Sequence, residues 1–137
     1  MEKLLTKINY KGDKRICVLN AEQKFIKSLS KSLPEVGIDN IIDPRFLYGF
    51  VIIFVKTIEE IESSAHRAIH NLYEDGILWY VFPKESPETL ENAPTRKMGW
   101  NSCKSAGYEA VRHVCFNDEL SATRFRNKKF ISRRNKD

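Results

Sequence analysis

The sequence predicts a three-layer α/β domain, in which a mostly parallel β-sheet lies between helices and ends in a C-terminal antiparallel hairpin. Three observations predict this class. Apolar runs at 15–20, 50–55 and 77–82 are rich in β-branched and aromatic residues, as expected of strands buried on both faces. Stretches with apolar residues on one helical face separate these runs. Only three residues join the last two strand candidates, a length typical of a hairpin.

The first third of the chain alternates between helical and extended patterns. Residues 2–8 are compatible with a short helix, and residues 15–20 form the first predicted strand. Residues 21–33 place Phe25, Leu29 and Leu33 on one face of a helix, which Pro34 ends. A second short strand is predicted over 38–42.

The middle of the chain contains the strongest strand and helix patterns. The strand 50–55 (FVIIFV) is followed by Thr57 and Glu60, the spacing of a capping box, and a helix is predicted over 58–73. The next strand, 77–82, leads into a polar surface loop over 84–94.

The last third is predicted to hold one helix and the hairpin. Thr95 is expected to cap a helix over 96–106, which Gly107 ends. Strands 110–116 and 120–130 follow. We expect residues 1–131 to form a single α/β domain and residues 132–137 to form a basic C-terminal tail, because 137 residues fit one domain of ordinary size.

Composition excludes several classes of protein. The longest apolar run has about ten residues, whereas a membrane-spanning helix needs about 20, and the N-terminus has no secretory pattern. Cys17, Cys103 and Cys115 are widely spaced and odd in number, so we expect buried thiols, no disulfide framework and a cytoplasmic location.

The net charge of +5 is concentrated at one end of the chain. Seven of the 23 basic residues lie within 124–137, against one of the 18 acidic residues, so the remaining body is close to neutral. The high pI therefore does not make the whole domain a nucleic-acid binder.

The first strand-to-helix turn lacks the residues of a nucleotide site. Such sites use glycines that let the backbone approach the ligand and leave helix N–H groups facing it. Here the turn reads Asn20-Ala21-Glu22-Gln23, and no glycine occurs between Gly12 and Gly37. We therefore predict a nucleotide-binding shell without its cofactor loop, and no cofactor.

No metal site is predicted. His66 and His70 are one helical turn apart, with Glu62 a turn earlier, a spacing that can hold zinc. The metalloprotease pattern requires Glu directly after the first His, where this chain has Arg67. A solvated polar helix face is the preferred interpretation.

Two surface regions are candidate binding sites. In open α/β sheets ligands bind beyond the carboxyl ends of the strands. Lys84 lies at the end of the fourth predicted strand, and side chains of the hairpin could face it there. The candidate ligand-binding residues are Lys84, Asp118, Ser121 and Arg124. The alternative is that Trp79 and Tyr80 belong to the core and that Lys84 is merely solvated.

The second region is the basic segment that begins in the last strand. Phosphates could bind its cations, and Phe125 and Phe130 could stack on bases. The candidate nucleic-acid-binding residues are Arg126, Lys128, Lys129, Arg133 and Arg134. The preferred alternative is an edge strand protected from aggregation by its charges, followed by a frayed tail.

The order of these elements is that of a class I methyltransferase sheet, a Rossmann-like fold, shortened by about one strand–helix unit. Residues 3–131 also resemble a family of short bacterial proteins of unknown function with such a trimmed methyltransferase-like fold. The segments that carry the resemblance are RICVLNA (15–21), FVIIFVKTIEEIE (50–62), GILWYVFPK (76–84), GYEAVRHVCFN (107–117) and DELSATRF (118–125). The resemblance implies the fold and supplies no catalytic residues.

These observations lead to one expectation and two alternatives. We expect a non-enzymatic cytoplasmic protein, a degenerate methyltransferase-like domain that acts by binding a partner. The first alternative is a small-molecule-binding protein or enzyme with an atypical pocket at the strand carboxyl ends. The second is a weak nucleic-acid binder that uses the basic C-terminal segment.

Overall fold

A computed structural model describes residues 1–131 of the chain. These residues contain four α-helices, six β-strands and a final 3₁₀ turn, Lys128–Phe130. In chain order the elements are α1 (Glu2–Lys7), β1 (Arg15–Leu19), α2 (Gln23–Ser32), β2 (Gly37–Asp39), β3 (Tyr48–Phe54), α3 (Ile58–His70), β4 (Leu72–Pro83), α4 (Asn101–Ser105), β5 (Tyr108–Cys115) and β6 (Leu120–Asn127).

The strands form one sheet in the order β2-β1-β3-β4-β6-β5. The strands β2, β1, β3 and β4 run parallel to one another, β6 is antiparallel to β4, and β5 is antiparallel to β6. The carboxyl ends of β1, β3 and β4 therefore lie at one edge of the sheet, beside the β5–β6 turn. The predicted fold class, a mostly parallel Rossmann-like sheet with a C-terminal antiparallel hairpin, is confirmed.

One face of the sheet is covered by α3 and α4. We call it the α3 face. The helix α3 begins at Thr57, whose hydroxyl accepts a hydrogen bond from the Glu60 amide while the Glu60 carboxylate accepts one from the Thr57 amide, so the predicted capping box is present. Its inner surface presents Ile61, Ala65 and Ala68, all fully buried. Small alanines let the helix lie close to the sheet.

The opposite face is covered by α1 and α2, and we call it the α1 face. Trp79 of β4 is fully buried here, and its indole Nε1 donates a 2.8 Å hydrogen bond to the carbonyl of Ile8, directly after α1. The helix α2 has no side-chain cap, and Leu29 is its one buried residue. This face is therefore less completely covered than the α3 face.

Several predicted boundaries are wrong. The strand β4 begins at Leu72 rather than at residue 77, since α3 ends at His70 and the chain turns directly into the sheet. The helix α4 spans five residues instead of 96–106, because Gly99 adopts φ +104 and interrupts any helix that begins earlier. Gly107, with φ +86, follows its end as predicted.

One prediction about the cysteines is also wrong. Cys17 and Cys103 are buried, but Cys115 is exposed because it lies near the end of the edge strand β5. None of the helices within residues 1–131 is long and apolar enough to cross a membrane.

Candidate functional site

A cleft of about 760 Å³ opens at the carboxyl ends of β1, β3 and β4. Its walls come from α1, α2, these strand ends and the β5–β6 turn, including Leu4, Phe54 and Leu120. The strand order makes this a topological switch point, because the connection from β1 runs outward to β2 and the next strand, β3, returns to the other side of β1. Open α/β sheets bind their ligands at such points.

Three phenylalanines form the apolar wall of the cleft. Phe25 of α2, Phe54 of β3 and Phe116 after β5 have ring centroids 5.3–5.7 Å apart. Phe116 is buried, whereas Phe25 and Phe54 are partly exposed to the cleft. Such an aromatic cluster offers an apolar and polarisable surface for a flat or branched group.

The turn after β1 uses asparagine where glycine is usual. Asn20 adopts φ +61, the left-handed conformation that glycine tolerates best and asparagine next best. Its amide Nδ2 donates to the Phe54 carbonyl at 3.1 Å, which ties the end of β1 to the end of β3. The turn thus forms without glycine. Its side chains occupy the space in which a glycine-rich loop would expose backbone N–H groups to a ligand.

The turn after β3 directs its backbone amides away from any ligand. The Glu60 carboxylate accepts hydrogen bonds from the amides of Lys56 and Thr57, at 2.6 and 3.1 Å. The N-terminus of α3 is therefore neutralised by the protein's own carboxylate. The amides of Lys56 and Thr57 are therefore not available to an anionic ligand.

The acidic residue at the end of β2 is also engaged. Asp39 receives two hydrogen bonds from the Arg15 guanidinium, at 2.8 and 3.1 Å, and one from the Tyr48 hydroxyl. Burial acts to raise the pKa of Asp39, but the hydrogen bonds from Arg15 and Tyr48 outweigh it, and the pKa is lowered. This carboxylate holds the sheet edge together.

Three of the predicted ligand-binding residues, Lys84, Asp118 and Ser121, are chain neighbours of residues that line the cleft, but none of the three lines it. The Lys84 ammonium donates to the Cys115 sulfur at 3.1 Å, and the Lys84 amide donates to the Glu119 carbonyl. Asp118 is exposed in the β5–β6 turn, directly before Glu119 in the sequence. Ser121 is buried, opposite Phe82 in the sheet.

Arg124 lies elsewhere. It is the register partner of Trp79, four residues along β6 from the strand end that adjoins the cleft. At about 3.3 Å per residue this is about 13 Å from the edge. The structure therefore places the four predicted ligand-binding residues in two separate regions.

The predicted nucleic-acid-binding residues also separate into groups. Arg126 forms a two-point ion pair with Asp75, at 2.7 and 2.8 Å. Lys128 and Lys129 are exposed in the 3₁₀ turn that follows β6. Arg133 and Arg134, together with the rest of the predicted tail 132–137, lie outside the described residues, so a nucleic-acid interface there stays a prediction.

Both histidines considered for zinc lie on α3, with His66 and His70 exposed. Residues 1–131 contain no group of three or more His, Cys, Asp or Glu side chains placed to hold a metal ion.

The fold is similar to solved structures of S-adenosylmethionine-dependent methyltransferases. The N-methyltransferase NodS from Bradyrhizobium japonicum WM9 aligns with a TM-score of 0.59 at 9% identity, over 92% of this chain and 93% of that one. A methyltransferase from Clostridium acetobutylicum ATCC 824 aligns with a TM-score of 0.58 at 6% identity, over 92% and 88% of the two chains. A third, from Aquifex aeolicus, aligns with a TM-score of 0.57 at 9% identity, over 90% and 87%.

These likenesses establish a methyltransferase-like fold and nothing finer, since the sequence identities are so low. The sequence matches no protein-family model and no curated protein.

The residues of the cleft do not fit S-adenosylmethionine. The turn that would cradle the cofactor carries Asn20, tied to Phe54, and the charged Glu22 instead of glycines. Asp39 lies at the end of β2, where dinucleotide-binding folds place the carboxylate that binds a ribose. Here it already binds Arg15 and Tyr48.

Sequence reasoning missed the phenylalanine cluster. Phe25 and Phe54 were assigned to the core, and Phe116 to the end of a strand, because pattern alone does not show that three ends of elements meet. The one available signal is position along the chain. Phe54 ends β3, Phe116 directly follows β5, and Phe25 lies in the first turn of α2.

Proposed function

We propose that this protein is a non-enzymatic, cytoplasmic binding domain, in which a methyltransferase-like fold without a cofactor loop holds part of a protein partner. Residues 1–131 would form the domain and residues 132–137 a basic tail. We also propose that the chain belongs with the short bacterial proteins of unknown function that its sequence resembles. The observation that carries it is the partly exposed cluster of Phe25, Phe54 and Phe116 at the switch point of the sheet.

The chemistry of the cleft favours an apolar side chain of a partner as its occupant. The aromatic wall continues into Leu4 and Leu120, and charges of both signs, including Lys24 and Glu119, lie around it. An apolar centre with a charged rim is typical of protein interfaces. The backbone amides of Lys56 and Thr57 after β3 are occupied by the Glu60 carboxylate, so they provide no cradle for a phosphate.

Site-specific photocrosslinking tests this proposal. A photoreactive phenylalanine analogue replaces Phe25 in cells that express the protein, and a matched variant carries it at Tyr73, which is 58% exposed at the start of β4 and away from the cleft. We expect a discrete crosslinked protein from position 25 and none from position 73. Crosslinking at neither position, or at both equally, would contradict the proposal.

The small-molecule alternative is favoured by the size of the cleft. A volume of about 760 Å³ lies within the range of about 300–1,000 Å³ that is usual for small-molecule sites. A thermal-shift screen with S-adenosylmethionine, S-adenosylhomocysteine, NAD(P) and nucleotides distinguishes it. A ligand at about 100 times its Kd adds about 2.7 kcal/mol to the free energy of unfolding. We expect no shift with any of them, and a shift that Phe25→Ala abolishes would favour the alternative.

A further inference from the structure

A second site is suggested by arginines on the α1 face of the hairpin. Arg112 of β5 and Arg124 of β6 are direct register partners, and antiparallel partners project their side chains from the same face. Arg126 follows two residues after Arg124 and therefore projects from that face as well. The sheet thus places three guanidinium groups side by side.

Acidic residues balance only part of this charge. Asp75 binds Arg126 through both carboxylate oxygens, and Glu109 is the register partner of Arg126. Within residues 1–131 neither Arg112 nor Arg124 forms an ion pair. Lys11 adds a further cation close enough to act on Asp75. The cluster is left with excess positive charge, centred on Arg112 and Arg124.

Arg124 is the unusual member of the cluster. Its Nε is buried and has no hydrogen-bond partner among the described residues. Burial lowers the pKa of Arg124, and the neighbouring charges of Arg126 and Arg112 lower it further. A partly buried guanidinium beside two like charges is unfavourable unless an anion binds it.

A second unpartnered polar atom belongs to Asn9, which follows the residue that binds Trp79. The Asn9 side-chain oxygen is also buried without a partner among residues 1–131. Asn9 follows Ile8, whose carbonyl binds the Trp79 indole, and Trp79 is the register partner of Arg124. Turning the Asn9 amide by 180° would place its N–H groups at this buried position and make the position a donor.

We propose that Arg112 and Arg124 form a binding site for a phosphate group, with Arg126 held beside them by Asp75. Planar guanidinium groups bind phosphate oxygens in pairs, which suits two arginines that face one another across a strand pair. The site lies about 13 Å along β6 from the cleft and is independent of the partner site proposed there. The phosphate belongs either to a small phosphorylated compound or to a nucleic-acid backbone.

Two probes and three variants test the proposal. Pyrophosphate and a single-stranded oligonucleotide of ten thymidines are titrated by calorimetry into the full chain and into Arg124→Gln, Arg112→Gln and Arg67→Gln. Arg67 is exposed on α3, on the other face, and controls for net charge. Arg112 is exposed, so its replacement keeps the test valid if Arg124→Gln fails to fold.

We expect at least one probe to bind, and its affinity to fall about tenfold or more in Arg124→Gln and Arg112→Gln but not in Arg67→Gln. Binding of pyrophosphate identifies a small phosphorylated compound. Binding of the oligonucleotide alone, with a salt slope smaller by about 0.7 in each cluster variant, identifies a backbone. Binding of neither probe, or equal binding by the wild type and both cluster variants, would overturn the proposal.

Discussion

The two faces of the sheet are covered in different ways, and the difference separates scaffold from site. On the α3 face a capped helix of thirteen residues buries three side chains and α4 closes the remaining surface. On the α1 face α2 has no side-chain cap and buries only Leu29. The cleft and the unpartnered Arg124 Nε both occur on the less completely covered face.

Aromatic residues show the same contrast. On the α3 face Tyr80, Trp100 and Phe125 pack with ring centroids 4.9–6.2 Å apart, and all three are buried. On the α1 face the rings of Phe25 and Phe54 are packed just as closely but remain partly exposed. The two clusters are packed equally closely, but only the one on the α1 face leaves part of its rings accessible to solvent.

Thiol labelling gives the largest expected difference. Burial raises the pKa of Cys17 and of Cys103 to about 12, and both belong to the core beneath α3. At pH 8 we expect a maleimide to modify exposed Cys115 at least about a thousandfold faster, because the buried thiols need both opening and deprotonation. Mass spectrometry after timed quenching measures the rates, and Cys115→Ser should abolish the fast phase. Rapid labelling of Cys103 would show that the α3 face is not closed.

A matched pair of isoleucine substitutions gives the next largest effect. Ile61 of α3 is fully buried, whereas Ile26 of α2 is only partly buried. We expect Ile61→Ala to lower the free energy of unfolding by about 3 kcal/mol and Ile26→Ala by about half as much, since less apolar surface is lost. Urea unfolding followed by circular dichroism measures both. Equal losses would contradict the proposed difference between the faces.

The two tryptophans give the smallest difference. Trp79 donates to the buried Ile8 carbonyl and Trp100 to the carbonyl of Thr95, which is partly exposed. We expect Trp79→Phe to cost about 1 kcal/mol more than Trp100→Phe, because water can replace the donor at Thr95 but not at Ile8. Urea unfolding gives the two values, and hydrogen exchange should show weaker protection of α1 in Trp79→Phe alone. Unchanged exchange in α1 would show that this hydrogen bond does not hold the helix.

Much of the scaffold could be predicted from local pattern. The predicted strand 50–55 and the Thr57–Glu60 capping box have strong intrinsic preferences. The capping box is confirmed, and the strand is found with slightly different bounds, Tyr48–Phe54. The sequence shows that no glycine follows β1, but its pattern does not show that Asn20 takes the left-handed conformation there.

The candidate sites depend on contacts that local pattern does not encode. The phenylalanine cluster joins residues 25, 54 and 116, which only the strand order brings together. The pairing of Arg112 with Arg124 follows from the hairpin register, in which both are six residues from Asp118. A bulge between Ala110 and Arg112 then shifts the pairing by one residue. The sequence does not predict this bulge, so it does not predict which residues pair on its far side.

The two edge strands of the sheet have a consequence for self-association. One edge is β2, which has only three residues, and Arg15 and Asp39 form an ion pair beside it. The other edge is β5, which is bulged and carries Glu109 and Arg112. Short, charged or bulged edges give another molecule little backbone to pair with. Within residues 1–131, the sheet therefore has no long flat edge from which one molecule could extend the sheet of the next.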